Sequence, residues 1–202
     1  MQAAPLVEVK SAMPSLFFIT HPEVVVDPAV PVERWRLSPR GAARMQAFAA
    51  SDMMAGVTAI WSSGETKALE AAEILARQLG LSVQVDEALG ENNRQATGFL
   101  PPAEFEQVAD AFFANPEGSV RGWECAVDAQ ARILKAFANI TRHPPAGDVA
   151  IISHGAVGTL LYCALTGVPI SRRHDQPFQG NFWRADFPAL KPATGWTQIA
   201  PV

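Results

Sequence analysis

The sequence predicts an α/β fold, and three observations carry that expectation. Short apolar runs alternate with amphipathic stretches of helical period. The helical stretches open on capping residues and close on glycine. Two of the apolar runs, far apart in the chain, end in histidine: Leu16-Phe-Phe-Ile-Thr20 before His21, and Val149-Ala-Ile-Ile-Ser153 before His154.

Taken in order, Leu16–Thr20 is five apolar or β-branched residues and reads as a buried strand. Ser38-Pro39 opens a helix, with a capping side chain and proline at the first helical position, and Ala42, Met45, Phe48 and Ala49 recur along it. Val57–Trp61 is the next strand. Ser62 and Glu65 have the spacing of a capping box for the helix that follows. That helix places Leu69, Ala72, Leu75, Ala76 and Leu79 on one face and stops at Gly80. Leu81–Val85 reads as a short strand. Asn92–Pro102 has no periodicity and is a loop, and a helical stretch then runs through Phe105, Val108, Ala109, Phe112 and Phe113. Trp123–Ile140 reads as a long amphipathic helix with Ile133, Leu134 and Phe137 on its buried side. Pro144-Pro145-Ala-Gly147 is a turn into the His154 strand, which is followed by a helix to Thr166-Gly167. Phe182-Trp183 and Trp196 mark short strands at one sheet edge. With no linker, repeat or low-complexity tract, residues 1–202 read as one domain. Residues 1–14 read as a loose tail or an extra edge strand.

In an open α/β sheet, ligands bind outside the carboxyl ends of the strands, which is where His21 and His154 are expected. A histidine there serves as base or nucleophile because it is neutral near pH 7. If the two strands are neighbours, both rings face one crevice. Between them, Ser62-Ser63-Gly64-Glu65-Thr66-Lys67 is a strand end, a turn and a helix start. Helix-terminal N–H groups and Lys67 there suit an anion. The plain structural alternatives are a strand-capping histidine and a well-made helix start.

This set of segments resembles the histidine phosphatase superfamily, the phosphoglycerate-mutase-like fold. His21 matches the histidine that takes the phosphoryl group in that family's Arg-His-Gly motif. The family's Ser-Ser-Pro-x-x-Arg turn is similar to Ser62–Lys67, its Leu-x-Glu acid segment to Leu89-Gly90-Glu91, and its Ser-His-Gly motif is present as Ser153-His154-Gly155. Trp35-Arg36-Leu37-Ser38-Pro39-Arg40-Gly41 matches a Trp-x-Leu-Ser-x-x-Gly helix start seen in many members. The resemblance implies a three-layer α/β/α architecture with a mostly parallel central sheet. It also implies metal-independent phosphoryl transfer through a phosphohistidine, without a cofactor. His21 would be the nucleophile, His154 a donor to the equatorial oxygens and Glu91 the acid, with Glu87 as its alternative. A mutase is disfavoured, since nothing here suits a second substrate.

Four departures bear on activity. Thr20 and Pro22 flank His21 where the family has arginine and glycine, and Lys67 stands where it has a second arginine. Arginine's planar fork binds phosphate bidentately, whereas lysine is a point charge and threonine offers a hydroxyl. Asp27 lies where many relatives place a phosphate-facing asparagine. Replacement cations for the phosphate site are sought in Arg94, three residues after the acid, and in Arg34 and Arg36. The expected phosphate-binding set is therefore Thr20, Lys67, Arg94 and Arg36. The first reading is a phosphohydrolase acting on a small phosphorylated molecule. The alternative is a degenerate relative that binds an anionic ligand or a protein partner without turnover.

Composition narrows the partners. The net charge of −4 gives no basic field for nucleic acid, and 49% hydrophobic with 18% charged residues is an ordinary globular balance. Cys125 and Cys163 read as buried free thiols, with no disulfide framework and no metal spacing. No run reaches the ~20 apolar residues of a membrane span. Glu8 and Lys10 interrupt the amino-terminal segment, which lacks a signal peptide's core, so a cytoplasmic location is expected.

Overall fold

The computed structural model describes residues 13–143 and 145–201. The expected tail lies largely outside them, and so does Pro144 of the expected turn. The first strand, β1 (Ser15–Thr20), is buried along its whole length because both of its faces are covered. Leu16 and Phe18 point into one apolar cluster and Phe17 and Ile19 into a second, as the two-residue period of a strand requires. Helices α1 (Pro39–Ala49) and α2 (Thr66–Leu79) close the second cluster with Met45, Phe48 and Leu75. Helices α3 (Pro102–Ala114), α4 (Ala126–Ile140) and α5 (Gly155–Thr166) close the first with Phe112, Ile133 and Leu160. The result is the three-layer architecture, helices on both faces of one sheet.

The remaining strands are β2 (Val57–Ser62), β3 (Val83–Val85), β4 (Asp148–Ser153), β5 (Asn181–Asp186) and β6 (Thr197–Gln198). They assemble in the order β3-β2-β4-β1-β5-β6. β3, β2, β4 and β1 are parallel neighbours, while β5 pairs antiparallel with β1 and β6 antiparallel with β5. The sheet is thus mostly parallel. β1 and β4, the two strands that lead to histidine, lie side by side.

Two boundaries differ from the sequence expectation by more than one residue. The strand after Gly80 begins at Val83, not Leu81. The long helix begins at Ala126, because Trp123 belongs to a turn closed by its own N–H on the Val120 carbonyl. Trp123 is nonetheless buried, and its indole N–H donates to Thr97 Oγ1 at 2.9 Å. Cys163 is buried and Cys125 half-buried, both with free thiols.

The loop after β1 is held rigidly. Ser38 caps α1, its hydroxyl accepting from Gly41 N at 3.0 Å, and the Ser38 N–H donates to the Glu23 carbonyl at 2.8 Å. The buried Arg44 guanidinium on α1 ties three segments together. It pairs with Glu23 at 2.8 Å and donates to the carbonyls of Gln179, Gly180 and Ala200. Gly41 explains the last position of the Trp-x-Leu-Ser-x-x-Gly motif, since a Cβ there would stand 2.2 Å from the Glu23 carbonyl oxygen. Backbone cannot yield as a flexible side chain does. Gly41→Ala is therefore expected to destabilise the protein by about 1–3 kcal/mol and to displace the segment after His21. Chemical denaturation and the histidine signals in an NMR spectrum check both effects; unchanged stability would contradict the close approach.

Candidate functional site

Strand register assembles the site. Thr20 lies opposite Ser153 in the β1–β4 ladder, and the chain continues it with the His21 N–H donating to the Ser153 carbonyl at 3.1 Å. On the other side of β4, Ser62 lies opposite Ile152 and the Ser63 N–H donates to the Ile152 carbonyl at 3.1 Å. The carboxyl ends of β2, β4 and β1 thus deliver Ser63, His154 and His21 at one level. The two imidazoles stand edge to face, their centroids 5.2 Å apart.

His21 is the ring that reaches a cavity of about 300 Å³, whose lining includes Lys67, Glu91, Arg94, Phe105 and Trp123. Its Nδ1 lies 2.9 Å from the Pro22 carbonyl. A carbonyl only accepts, so Nδ1 carries the hydrogen and Nε2 the lone pair. Burial, reinforced by the nearby Lys67 charge, lowers the His21 pKa to about 4. The ring is neutral at pH 7. Pro22 gives up a backbone donor and supplies instead the acceptor that selects this tautomer.

His154 is fully buried, and burial pushes its pKa well below the ordinary value against the opposing charge of Glu65. Its Nε2 lies 2.7 Å from Ser63 Oγ and 3.4 Å from Glu65 Oε1, while its Nδ1 has no partner among the described residues. An orphaned buried N–H costs more than an unpaired lone pair, which favours the Nε2–H tautomer. Gly155 follows because the Gln176 side chain crosses where a Cβ would stand, with its Nε2 at 2.4 Å from that position.

Glu91 is half-buried at the edge of the cavity and also caps α5. Its carboxylate accepts from the N–H groups of Val157 at 3.1 Å and Ala156 at 3.3 Å. Burial raises its pKa, with Arg94 working in the opposite direction. Arg132 fixes the segment by donating to the carbonyls of Ala88, Gly90 and Glu91. Glu87, the alternative acid, lies over Gly64 and lines a neighbouring crevice.

The expected phosphate-binding residues divide. Arg94 lines the His21 cavity, its guanidinium 5.0 Å from the Phe105 ring centroid and 6.0 Å from that of Trp123. Lys67 lines it too, but the ammonium is engaged by the Val32 carbonyl at 2.9 Å and by the Glu65 carboxylate. Thr20 is buried, with its hydroxyl donating to Gln176 Oε1 at 2.6 Å and accepting from Asn181 N at 3.0 Å. Arg36 stands apart, paired with Glu70 at 2.6 Å in a separate groove of about 750 Å³. Asp27 lines that same groove, and its carboxylate accepts from Ala29 N at 2.9 Å.

Glu65 is the residue that sequence reasoning assigned differently. It is the N-cap position of α2 without a side-chain cap, and Ser62 is the last residue of β2 with its hydroxyl turned to the Ser63 carbonyl, so no capping box forms. The Glu65 carboxylate is drawn inward to Lys67, His154 and the Glu91 N–H, the last at 2.8 Å. Burial acts against its charge, but these partners outweigh that and hold its pKa at about 2. The available signal was its position two residues before a lysine that the helix start turns inward.

Among the described residues no group of three or more His, Cys, Asp or Glu is arranged to hold a metal ion, and no helix is long and apolar enough to cross a membrane.

The chain was compared with known proteins. The sequence profile of the histidine phosphatase superfamily, branch 1, matches residues 32–181. No curated protein matches significantly. Among solved structures, the mycobacterial glucosyl-3-phosphoglycerate phosphatase in complex with inorganic phosphate superposes with a TM-score of 0.77 at 20% identity, covering 94% of this chain and 100% of that one. YhfR of Bacillus stearothermophilus gives 0.72 at 22% identity, covering 89% and 95%. A putative alpha-ribazole-5'-P phosphatase of Escherichia coli gives 0.72 at 16% identity, covering 95% and 99%.

The protonation pattern yields a direct test. An NMR titration should show His21 as the Nδ1–H tautomer with a midpoint near pH 4; a midpoint near 6.5 would contradict the site. Because the folded-state pKa lies below the unfolded one, the neutral ring's contribution to stability is full above pH 6.5 and is lost as pH falls toward 4.

Proposed function

The chain belongs to the histidine phosphatase superfamily, branch 1, and we propose that it is a metal-independent phosphohydrolase that passes the phosphoryl group of a small phosphorylated molecule through His21. The observation that carries this reading is the lone pair on His21 Nε2, fixed by the Nδ1 contact to the Pro22 carbonyl in a cavity shared with Glu91 and Arg94.

Nε2 attacks phosphorus in line with the leaving oxygen, forming the N–P bond as the P–O bond breaks. Glu91, whose pKa burial raises, gives its proton to that oxygen. Water then attacks the phosphohistidine, its proton passes to Glu91, and the N–P bond breaks to release inorganic phosphate and neutral His21. Arg94, backed by Phe105 and Trp123, supplies positive charge to the phosphoryl oxygens, taking the part of the arginine missing beside His21. The aromatic wall suits a leaving group with an apolar face.

An aryl phosphate and a panel of phosphorylated sugars and acids would be hydrolysed by the purified protein with EDTA present. His21→Ala should lower kcat/KM by more than about 10³-fold and Arg94→Ala by about 10²-fold, with folding intact. Turnover that persists in His21→Ala, or that EDTA removes and a divalent metal restores, would overturn the proposal. Phosphate binding without turnover on any substrate would leave the non-catalytic reading, which the engagement of Thr20 by Gln176 and of Lys67 by Glu65 favours.

A further inference from the structure

We propose that Glu65 is a resident counter-anion of the site: its carboxylate holds the place on Lys67 that a phosphoryl group needs and lies against His154, so that a phosphoryl ligand binds by displacing it. The inference rests on the phosphoryl-binding reading above and concerns what that binding must overcome.

A phosphoryl group beside His21 requires donors for its non-bridging oxygens, and at the ends of β2 and β4 these are Lys67 Nζ and a ring N–H of His154. Both already face the same carboxylate. Glu65 pairs with Lys67 through one oxygen and lies 3.4 Å from His154 Nε2 through the other, which also accepts from the Glu91 N–H at 2.8 Å. Lys67 and the Glu91 N–H thus donate to one carboxylate as they would to a bound oxyanion, with His154 beside it. The Lys67 side chain is 3% exposed and its ammonium is held by Glu65 and the Val32 carbonyl, while His154 is 0% exposed with its Nε2 also 2.7 Å from Ser63 Oγ. The carboxylate is also a fixed negative charge that repels an incoming phosphoryl dianion.

Glu65 has somewhere to go. It lines a second crevice, of about 560 Å³, that shares Val32, Glu91, Asn92 and Arg94 with the His21 cavity and is also bordered by Arg34. A rotation about the side chain carries the carboxylate from Lys67 into that crevice, which Arg34 lines together with Glu33 and Glu87. There it no longer opposes the phosphoryl group. This position therefore sets anion affinity and selects ligands that can outbid a carboxylate for Lys67.

The test is titration with inorganic phosphate, followed by calorimetry, on wild type, Glu65→Gln and Glu65→Ala. The glutamine variant retains an acceptor for the Glu91 N–H, and the alanine variant removes the side chain. Both should bind phosphate roughly 10- to 100-fold more tightly, the worth of one charge-assisted hydrogen bond released to the ligand. Glu73→Gln, which removes a carboxylate of the same helix that lines the separate groove, should bind as wild type does. Adding Lys67→Met to Glu65→Gln should abolish the gain. Phosphate affinity unchanged or weakened in both Glu65 variants, with their thermal unfolding cooperative, overturns the inference; so does an equal gain in Glu73→Gln, which would reduce the effect to net charge. Hydrolysis dependent on His21 with no gain in the Glu65 variants defeats this inference alone, whereas tighter phosphate without hydrolysis in any variant defeats the phosphohydrolase reading alone.

Discussion

The parallel pairing of β1 with β4 is the constraint from which the site follows. It sets Thr20 opposite Ser153, and the next hydrogen bond, from His21 N–H to the Ser153 carbonyl, brings the two histidines level. A slip of one residue would turn every side chain of β1 to the other face of the sheet. Such a slip is strongly opposed, because Leu16 and Phe18 fill one core while Phe17 and Ile19 fill the other. Phe18 stacks on Trp183 of β5 at 5.0 Å, which adds a lateral check on the same register. The apolar order that stabilises the sheet is therefore the order that aligns the chemistry, and Gly41 and Arg44 hold the following loop against α1 so that the alignment continues past the strand.

Electrostatics then divide the site into two parts. On the cavity side, burial lowers the His21 pKa to about 4, leaving a neutral ring with a free lone pair, and raises that of Glu91. On the floor, Lys67 and Glu65 form a buried ion pair next to neutral His154. Buried pairs gain little net stability, because desolvation offsets their attraction, while removing one partner leaves a costly lone charge. An ion pair at this place is better understood through function than through stability. It holds a lysine in place where the superfamily resemblance implies an arginine, and on the proposal above it makes the approach of a phosphoryl group an exchange of one anion for another.

Much of this was legible in the sequence. Apolar runs of strand length, a proline-initiated helix after Ser38 and the stops at Gly80 and Gly167 set the α/β order, because burial and backbone conformation act locally there. His21, His154, Glu91 and Arg94 were named from strand ends and short motifs, and all four come together at the carboxyl end of the sheet. What was illegible depends on contacts between distant segments. The hydroxyl of Thr20 is taken by Gln176, 156 residues away. Arg36, named beside Arg94 as a candidate cation, is drawn off by Glu70 on the neighbouring helix. Glu65 matched a local capping pattern that the long-range attraction of Lys67 and His154 overrode. Spacing alone does not distinguish a carboxylate that caps a helix from one that turns inward.

The central claim is that His21 accepts the phosphoryl group, and mapping the covalent intermediate tests it most directly. The protein would be mixed with an aryl phosphate, quenched in alkali within the first turnover, and its peptides analysed by mass spectrometry. The account predicts an acid-labile, alkali-stable phosphoryl group on the peptide containing His21, absent from His21→Ala. Steady hydrolysis with no phosphorylated peptide, or with the phosphoryl group on Ser63 or His154 instead, would contradict it.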